Sequence, residues 1–291
     1  MELDEFGWLA ENATEAGLAW PGRPAVRRES VAVPGGRRVS AVIWGTAPPE
    51  MVLLHGGGQN AHTWDTVALA LDRPLVAVDL PGHGHSDWRA DHDYRPAALA
   101  ADLAAALAVV APGAGLVAGM SLGGLAALAL AERHPELVRR LALVDIVPGL
   151  DPARVEPILA FLGGAERFAS FQEILDRTVP FNPGRSLPSL RRGVLHNARR
   201  LPDGSWTWRW DPDLPRKIEH QEPLGPTVAA VAGPVLLLRG SRSAIVSDED
   251  TAGFLRRQPT ARVVVVAGAG HSIQGDQPVE LARQLAAFLD E

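Results

Sequence analysis

The sequence predicts an α/β fold built on a mainly parallel sheet, with a small helical cap inserted into it. Three observations carry this. Six apolar runs of strand length, at 51–54, 75–78, 116–118, 141–144, 235–238 and 262–266, lack polar alternation, as parallel strands buried on both faces do. Segments between several of them, at 61–71, 96–110, 122–134, 248–258 and 278–289, suit helices, and strand–helix alternation is the pattern of a parallel sheet with covered faces. Between Val147 and Pro234 there is no buried-strand run, and prolines such as Pro148, Pro157, Pro180, Pro188 and Pro202 chop the chain into short pieces. An insertion over 148–225, with the core at 1–147 and 226–291, is the simplest account.

Taken in order, residues 1–25 show no strong period and read as a short helix followed by an extended arm. Runs at 30–33 and 39–44 flank Pro34-Gly35-Gly36 and read as a hairpin. The alternating strands and helices follow, then the proline-rich interval, then two further strand–helix pairs.

Composition narrows the function. The chain has 291 residues and a formal charge of −6, with no basic stripe of the kind nucleic acid requires. With 46% hydrophobic and 21% charged residues it is neither a disordered chain nor a membrane bundle. The longest apolar stretch, 97–111, contains Asp102 and is mostly alanine, so no membrane span is expected. Cysteine is absent, which excludes disulfides, thiol nucleophiles and cysteine-based metal sites and is compatible with a reducing cytoplasm. The N-terminal MELDEFGWLA has neither a basic nor an apolar region, so no secretory signal is expected and the location is read as cytoplasmic.

Three motifs point to chemistry. Gly119-Met120-Ser121-Leu122-Gly123 lies between an apolar run and a helical segment. G-x-S-x-G in that setting is a nucleophile elbow, in which a strained turn presents the serine at a helix N-terminus beside the Leu122 N–H. A bare G-x-S-x-G also occurs as an ordinary glycine-rich turn; the strand–turn–helix setting favours the catalytic reading. His55-Gly56-Gly57-Gly58 follows the run at 51–54. A glycine loop there lets a backbone N–H approach a developing oxyanion, with Gly57 the first choice of donor and Gly58 the next. His55 itself reads as structural, because it ends a buried strand. Gly268-Ala269-Gly270-His271 follows the last buried run and places His271 at the carboxyl edge of the sheet, where α/β sites form. His62, His196 and His220 read as surface or packing residues, and His134 as a helix end.

Together with Asp79-Leu80-Pro81-Gly82-His83-Gly84-His85-Ser86, these motifs resemble the α/β-hydrolase fold family over roughly 30–147 and 233–290. The resemblance implies an eight-stranded sheet flanked by helices, a helical cap, and a Ser–acid–His triad that needs no cofactor. It leaves the substrate open. His83, His85 and Asp87 begin like a metallo-hydrolase H-x-H-x-D-H, but Trp88 replaces the final ligand, so no metal is expected. Gly113-Ala114-Gly115-Leu116-Val117-Ala118 precedes its strand instead of following one, which argues against dinucleotide binding.

The acid departs from the family pattern. Many members carry aspartate shortly after the glycine that follows the seventh strand; here Ser243 and Ala244 stand there. Asp145, ending the run at 141–144, is preferred as the triad acid, with Asp248 and Asp250 as alternatives that also look like the acidic first turn of a helix. Trp206, Trp208 and Trp210 alternate with Thr207 and Arg209, so an extended chain would face all three one way and could line an apolar pocket or simply pack the cap. Trp64 and Trp88 follow the two edge loops and are expected to approach the site, and Gly58, Trp64, Met120, Trp206 and Trp208 are the expected pocket residues.

The expectation is a cofactor-independent serine hydrolase acting on a small, apolar carboxylic ester through Ser121, His271 and Asp145, with Gly57 and Leu122 N–H groups as the oxyanion hole. Its partners are a small-molecule substrate, with no nucleic acid and no membrane, and the oligomeric state is left open. A C–C bond hydrolase or lyase using the same triad is one alternative. A non-catalytic binding protein is the rival from another class.

Overall fold

The computed structural model describes residues 4–182, 184–214, 228–229 and 231–291. His220 and the expected cap boundary at 225–226 lie outside the described residues. The chain builds an eight-stranded sheet in the order β1-β2-β4-β3-β5-β6-β10-β11. Strands β1 (Val26–Val33) and β2 (Arg37–Trp44) pair antiparallel, and β2 joins β4 (Leu75–Val78) antiparallel. From β4 onward, β3 (Met51–Leu54), β5 (Leu116–Met120), β6 (Leu141–Val144), β10 (Val235–Gly240) and β11 (Arg262–Val266) run parallel.

Every residue of β3, β4, β5 and β6 is buried. Alternate residues enter opposite cores. Val52, Leu54, Val76 and Val78 face α3 (Pro96–Val110) and α4 (Leu122–Arg133), while Met51, Leu53, Leu75 and Ala77 face α2 (Asp65–Leu71) and the C-terminal helix α10 (Pro278–Leu289). Two covered faces explain why these runs show no polar positions. Burying each such Leu or Val side chain stabilises the fold by roughly 1.5–3 kcal/mol.

Because β3, β5, β6, β10 and β11 are parallel, the turns after them gather at one edge of the sheet. Over that edge lie α5 (Pro152–Leu162), α6 (Phe171–Thr178) and α7 (Leu187–Asn197), together with a three-stranded antiparallel sheet of β7 (Arg167–Phe168), β9 (Trp206–Trp208) and β8 (Ala198–Arg200). The small sheet adds to the expected helices; strands of two or three residues carry no period that a sequence could display. The N-terminal helix α1 (Leu9–Glu15) is tied to α7 through Arg192, whose guanidinium meets Asn12, Glu11 and Glu15. No helix among the described residues is long and apolar enough to cross a membrane.

Candidate active site

Ser121 occupies the turn between β5 and α4 with φ 50° and ψ −119°. Positive φ is costly for a residue with a Cβ and persists only where the surroundings impose it. Here Ser121 N–H donates to Val144 O at 3.3 Å, and Ser121 O accepts from Gly124 and Leu125 N–H at 2.9 and 3.1 Å. The flanking glycines make the turn possible. A Cβ on Gly123 would fall 2.5 Å from Leu54 O, and one on Gly119 2.5 Å from the Gly123 carbonyl carbon. Both are backbone obstacles, which cannot move aside. Leu122 is the first residue of α4, so its N–H has no acceptor within the helix.

Asp145 follows β6 directly, also at φ 50°, with its side chain fully buried. Its Oδ1 accepts from Gly240 N–H at 2.8 Å, which ties the ends of β6 and β10 together. Its Oδ2 lies 2.8 Å from His271 Nδ1 and accepts from Ser243 Oγ at 2.5 Å. The structure thus brings Asp145 and His271 together. The alternatives are engaged elsewhere: Asp248 is 96% exposed and pairs with Arg239, and Asp250 completes a capping box with Ser247 at the start of α8 (Asp248–Arg257) and pairs with Arg154. His271 Nε2 is buried and has no hydrogen-bond partner, and no hydrogen bond joins it to Ser121, although both residues line one cavity.

Sequence reasoning passed over Ser243 as the mere absence of the usual acid. Its hydroxyl spans the Asp145 carboxylate and the N–H groups of Ile245 and Val246, at 3.1 and 3.2 Å. The signal was available: a small polar residue stands where a carboxylate is expected, beside another strand end that carries one.

The glycine loop after β3 is pinned by His55. Its Nδ1 donates to Gly56 O at 2.7 Å and its Nε2 accepts from Leu80 N–H at 2.9 Å, the pattern of a neutral ring. Burial lowers its pKa to about 4. Gly57 and Gly58 line the cavity; Gly58 has φ 71°, and a Cβ there would collide with Leu162 of α5.

The cavity, about 2220 Å³, runs from the elbow beneath α5 and α7. Met120, Leu122, Phe161, Leu162, Trp208 and Trp210 form apolar parts of its wall. Trp208 and Trp210 stack at 4.2 Å and 17°. Three expectations are corrected. Trp64 does not reach the cavity: Asn60 caps a single 3-10 turn at Ala61–Trp64, which turns Ala61 and Trp64 into the core and His62 and Thr63 toward the cavity. Trp206 shares a strand face with Trp208 but packs on Phe171, one strand repeat beyond the cavity wall. Trp88 is exposed at the surface.

Metal chemistry finds no convergent donors in the H-x-H-x-D stretch. His83 is buried, its Nδ1 bonded to Pro81 O, and Asp87 accepts from Arg38 N–H. The loop instead wraps the Asp79 carboxylate, which takes Ala61 and His85 N–H groups and the Arg28 guanidinium. His62, Asp65 and His196 also cluster. However, the two rings stack at 3.8 Å and 15°, so their in-plane lone pairs do not converge, and Arg28 lies 3.1 Å from His62 Nε2.

Comparison with known proteins agrees with this architecture. Residues 51–284 match the model of the alpha/beta hydrolase family. The chain is 45% identical over 295 residues to the esterase Rv0045c of Mycobacterium tuberculosis, covering 99% of this chain and 96% of that protein. A solved structure of that esterase superposes with a TM-score of 0.89 at 44% identity over the whole of both chains. The 3-hydroxybutyrate-oligomer hydrolase of Cupriavidus necator is 30% identical over 259 residues, covering 82% of this chain and 88% of that protein. The chain belongs to the alpha/beta hydrolase family.

Proposed function

We propose that the chain is a serine esterase that cleaves carboxylic esters through an acyl-enzyme. The observation that carries this is the contact of His271 Nδ1 with the buried Asp145 carboxylate, at the same sheet edge as a serine held at φ 50°. The carboxylate fixes the tautomer in which Nε2 is free to accept a proton. In the substrate complex Ser121 Oγ closes on Nε2 and attacks the ester carbonyl; such bonds are often loose before substrate arrives. The Gly57 and Leu122 N–H groups receive the oxyanion. His271 then protonates the departing alcohol, activates water, and releases the acid. The ester class is supported by the 45% identical M. tuberculosis esterase. The aromatic wall at Phe161, Trp208 and Trp210 favours an apolar portion in the substrate.

In this reading 148–225 act as the cap that sets substrate choice, and the enzyme works in the cytoplasm without metal or cofactor. A fluorophosphonate probe tests it. It labels Ser121 in the native protein, and Ser121→Ala abolishes labelling and lowers kcat by about 10⁴–10⁶. A well-folded Ser121→Ala protein with near-normal turnover refutes the nucleophile, and a native protein that neither labels nor turns over esters favours the non-catalytic binder.

A further inference from the structure

One cation on the cavity wall lacks the partner its surroundings call for. Arg185 lies just before α7, partly buried, and its guanidinium rests against α9 (Ile273–Asp276), the single helical turn that follows His271 and Ser272. A Cβ on Gly275 would lie 3.1–3.2 Å from its Cζ, Nε and Nη1, so glycine there makes room for the flat face of the group. Among the described residues the only hydrogen bond of the guanidinium is from Nη2 to Ser189 Oγ at 2.6 Å, and its Nε–H is buried with no acceptor.

Neither neighbouring carboxylate is hydrogen-bonded to Arg185: Glu15 is taken by Arg192 and Ser186, and Asp276, which accepts from Gly270 N–H at 2.8 Å, attracts the guanidinium only through space. The other arginines on the wall differ: Arg192 is paired with Glu11 and Glu15, and the exposed Arg242 donates to Gly268 O. Burial lowers the pKa of Arg185, with Arg192 adding to that and Asp276 and Glu15 opposing it. Withdrawing a guanidinium from water without a carboxylate is costly, and a fold retains such a group most readily where a ligand completes it.

We propose that Arg185 is an anion-recognition residue of this cavity, and that the esters the enzyme takes carry a free carboxylate which this guanidinium holds while the ester lies at Ser121. Arginine suits the task because its planar fork matches a carboxylate with two parallel hydrogen bonds. The proposal rests on the esterase reading and narrows it to acidic esters with an apolar spacer.

The test uses inhibitors, so that it does not depend on which side of the ester bears the charge. Linear dicarboxylates from succinate to suberate are compared with monocarboxylates of equal length as competitive inhibitors of 4-methylumbelliferyl butyrate hydrolysis, at constant ionic strength. At the best length the dicarboxylate is expected to bind at least fivefold more tightly. Arg185→Met removes that preference and Arg185→Lys keeps part of it. Absence of the preference in the native enzyme, or its persistence in Arg185→Met, overturns the proposal. Should Arg185→Met fail to fold, calorimetric titration of the same pairs into Ser121→Ala and into Ser121→Ala combined with Arg185→Lys decides the question: absence of the preference in the first, or its undiminished persistence in the second, overturns the proposal. Failure of the esterase reading looks different, because the native enzyme would not hydrolyse the neutral ester at all.

Discussion

Replacing Asp145 by asparagine isolates the electrostatic part of the site, because the two side chains have the same shape and asparagine tolerates the φ of 50° found there. The carboxylate serves three donors: Gly240 N–H on Oδ1, and His271 Nδ1–H and Ser243 O–H on Oδ2. An amide has one acceptor oxygen. If that oxygen keeps Gly240, the NH₂ group faces His271 Nδ1, which must then give up its proton. The imidazole adopts the other tautomer, with the proton on Nε2, where it can no longer accept one from Ser121. Flipping the amide only moves the conflict to Gly240. The expected loss in kcat is up to about 10⁴, or about 5.5 kcal/mol of transition-state stabilisation. Asp248→Asn is the control. Its side chain is 96% exposed and pairs with Arg239 at the start of α8, so the change costs about 0.3–1 kcal/mol of stability and leaves kcat within about twofold. Both variants are measured on 4-nitrophenyl butyrate, with thermal melts to confirm the fold. Normal turnover in Asp145→Asn beside a dead Asp248→Asn refutes the assignment.

Four further outcomes are expected. Gly123→Ala destabilises the elbow by more than about 3 kcal/mol, because its Cβ meets the backbone of Leu54 and His55; an unchanged melting temperature contradicts this. Ser243→Ala removes a donor to an ionised carboxylate and lowers kcat about tenfold with little change in KM, as a positioning role requires, so a loss of stability alone counts against it. Burial lowers the pKa of His55 to about 4 and of His83 to about 3, against about 6.5 in the unfolded chain. The unfolded state therefore binds protons that the folded state refuses, and stability falls as pH drops from 6.5 toward 4, by up to about 1.4 kcal/mol per pH unit for each ring; denaturant titrations at pH 7, 5.5 and 4 that coincide would refute it. Trp208→Ala shifts KM across a series of acyl-chain lengths, whereas Trp206→Ala, packed on Phe171 outside the cavity, changes mainly the melting temperature; equal kinetic profiles for the two would contradict the geometry.

Much of this was legible because burial leaves a plain mark on sequence. The runs predicted at 51–54, 75–78 and 141–144 are the buried strands β3, β4 and β6, and the helices predicted at 96–110 and 278–289 have the observed ends. The run at 262–266 is β11, but it is the edge strand, and of its residues only Val266 is buried, so the expectation of two covered faces is corrected there. Two strands run further than hydrophobicity indicated, β5 to Met120 and β10 to Gly240, because pairing continues into the functional turns where side chains are chosen for chemistry. The expected helix at 61–71 opens instead with a 3-10 turn, imposed by the Asn60 cap. Trp64 was misread for that reason: which side of a single turn faces the core depends on its cap geometry, not on a period. The small sheet and α9 were invisible, since two- to four-residue elements have no periodicity. Arg185 carries no mark in the sequence, because what sets it apart is that neither nearby carboxylate is hydrogen-bonded to its guanidinium, and only a folded chain shows which groups meet.

The hydrogen bond from Ser243 to the Asp145 carboxylate also bears on how such a site can change over evolutionary time. Ser243 Oγ and His271 Nδ1 meet the same carboxylate oxygen, from the ends of adjacent strands. A carboxylate grown at position 243 would therefore arrive beside the imidazole already served from position 145. A lineage could carry its acid from one strand to the next through an intermediate holding both, in which mutual repulsion favours protonation of one and renders the other dispensable. What the site requires, on this view, is negative charge behind the histidine, and the ends of two neighbouring strands both reach that place.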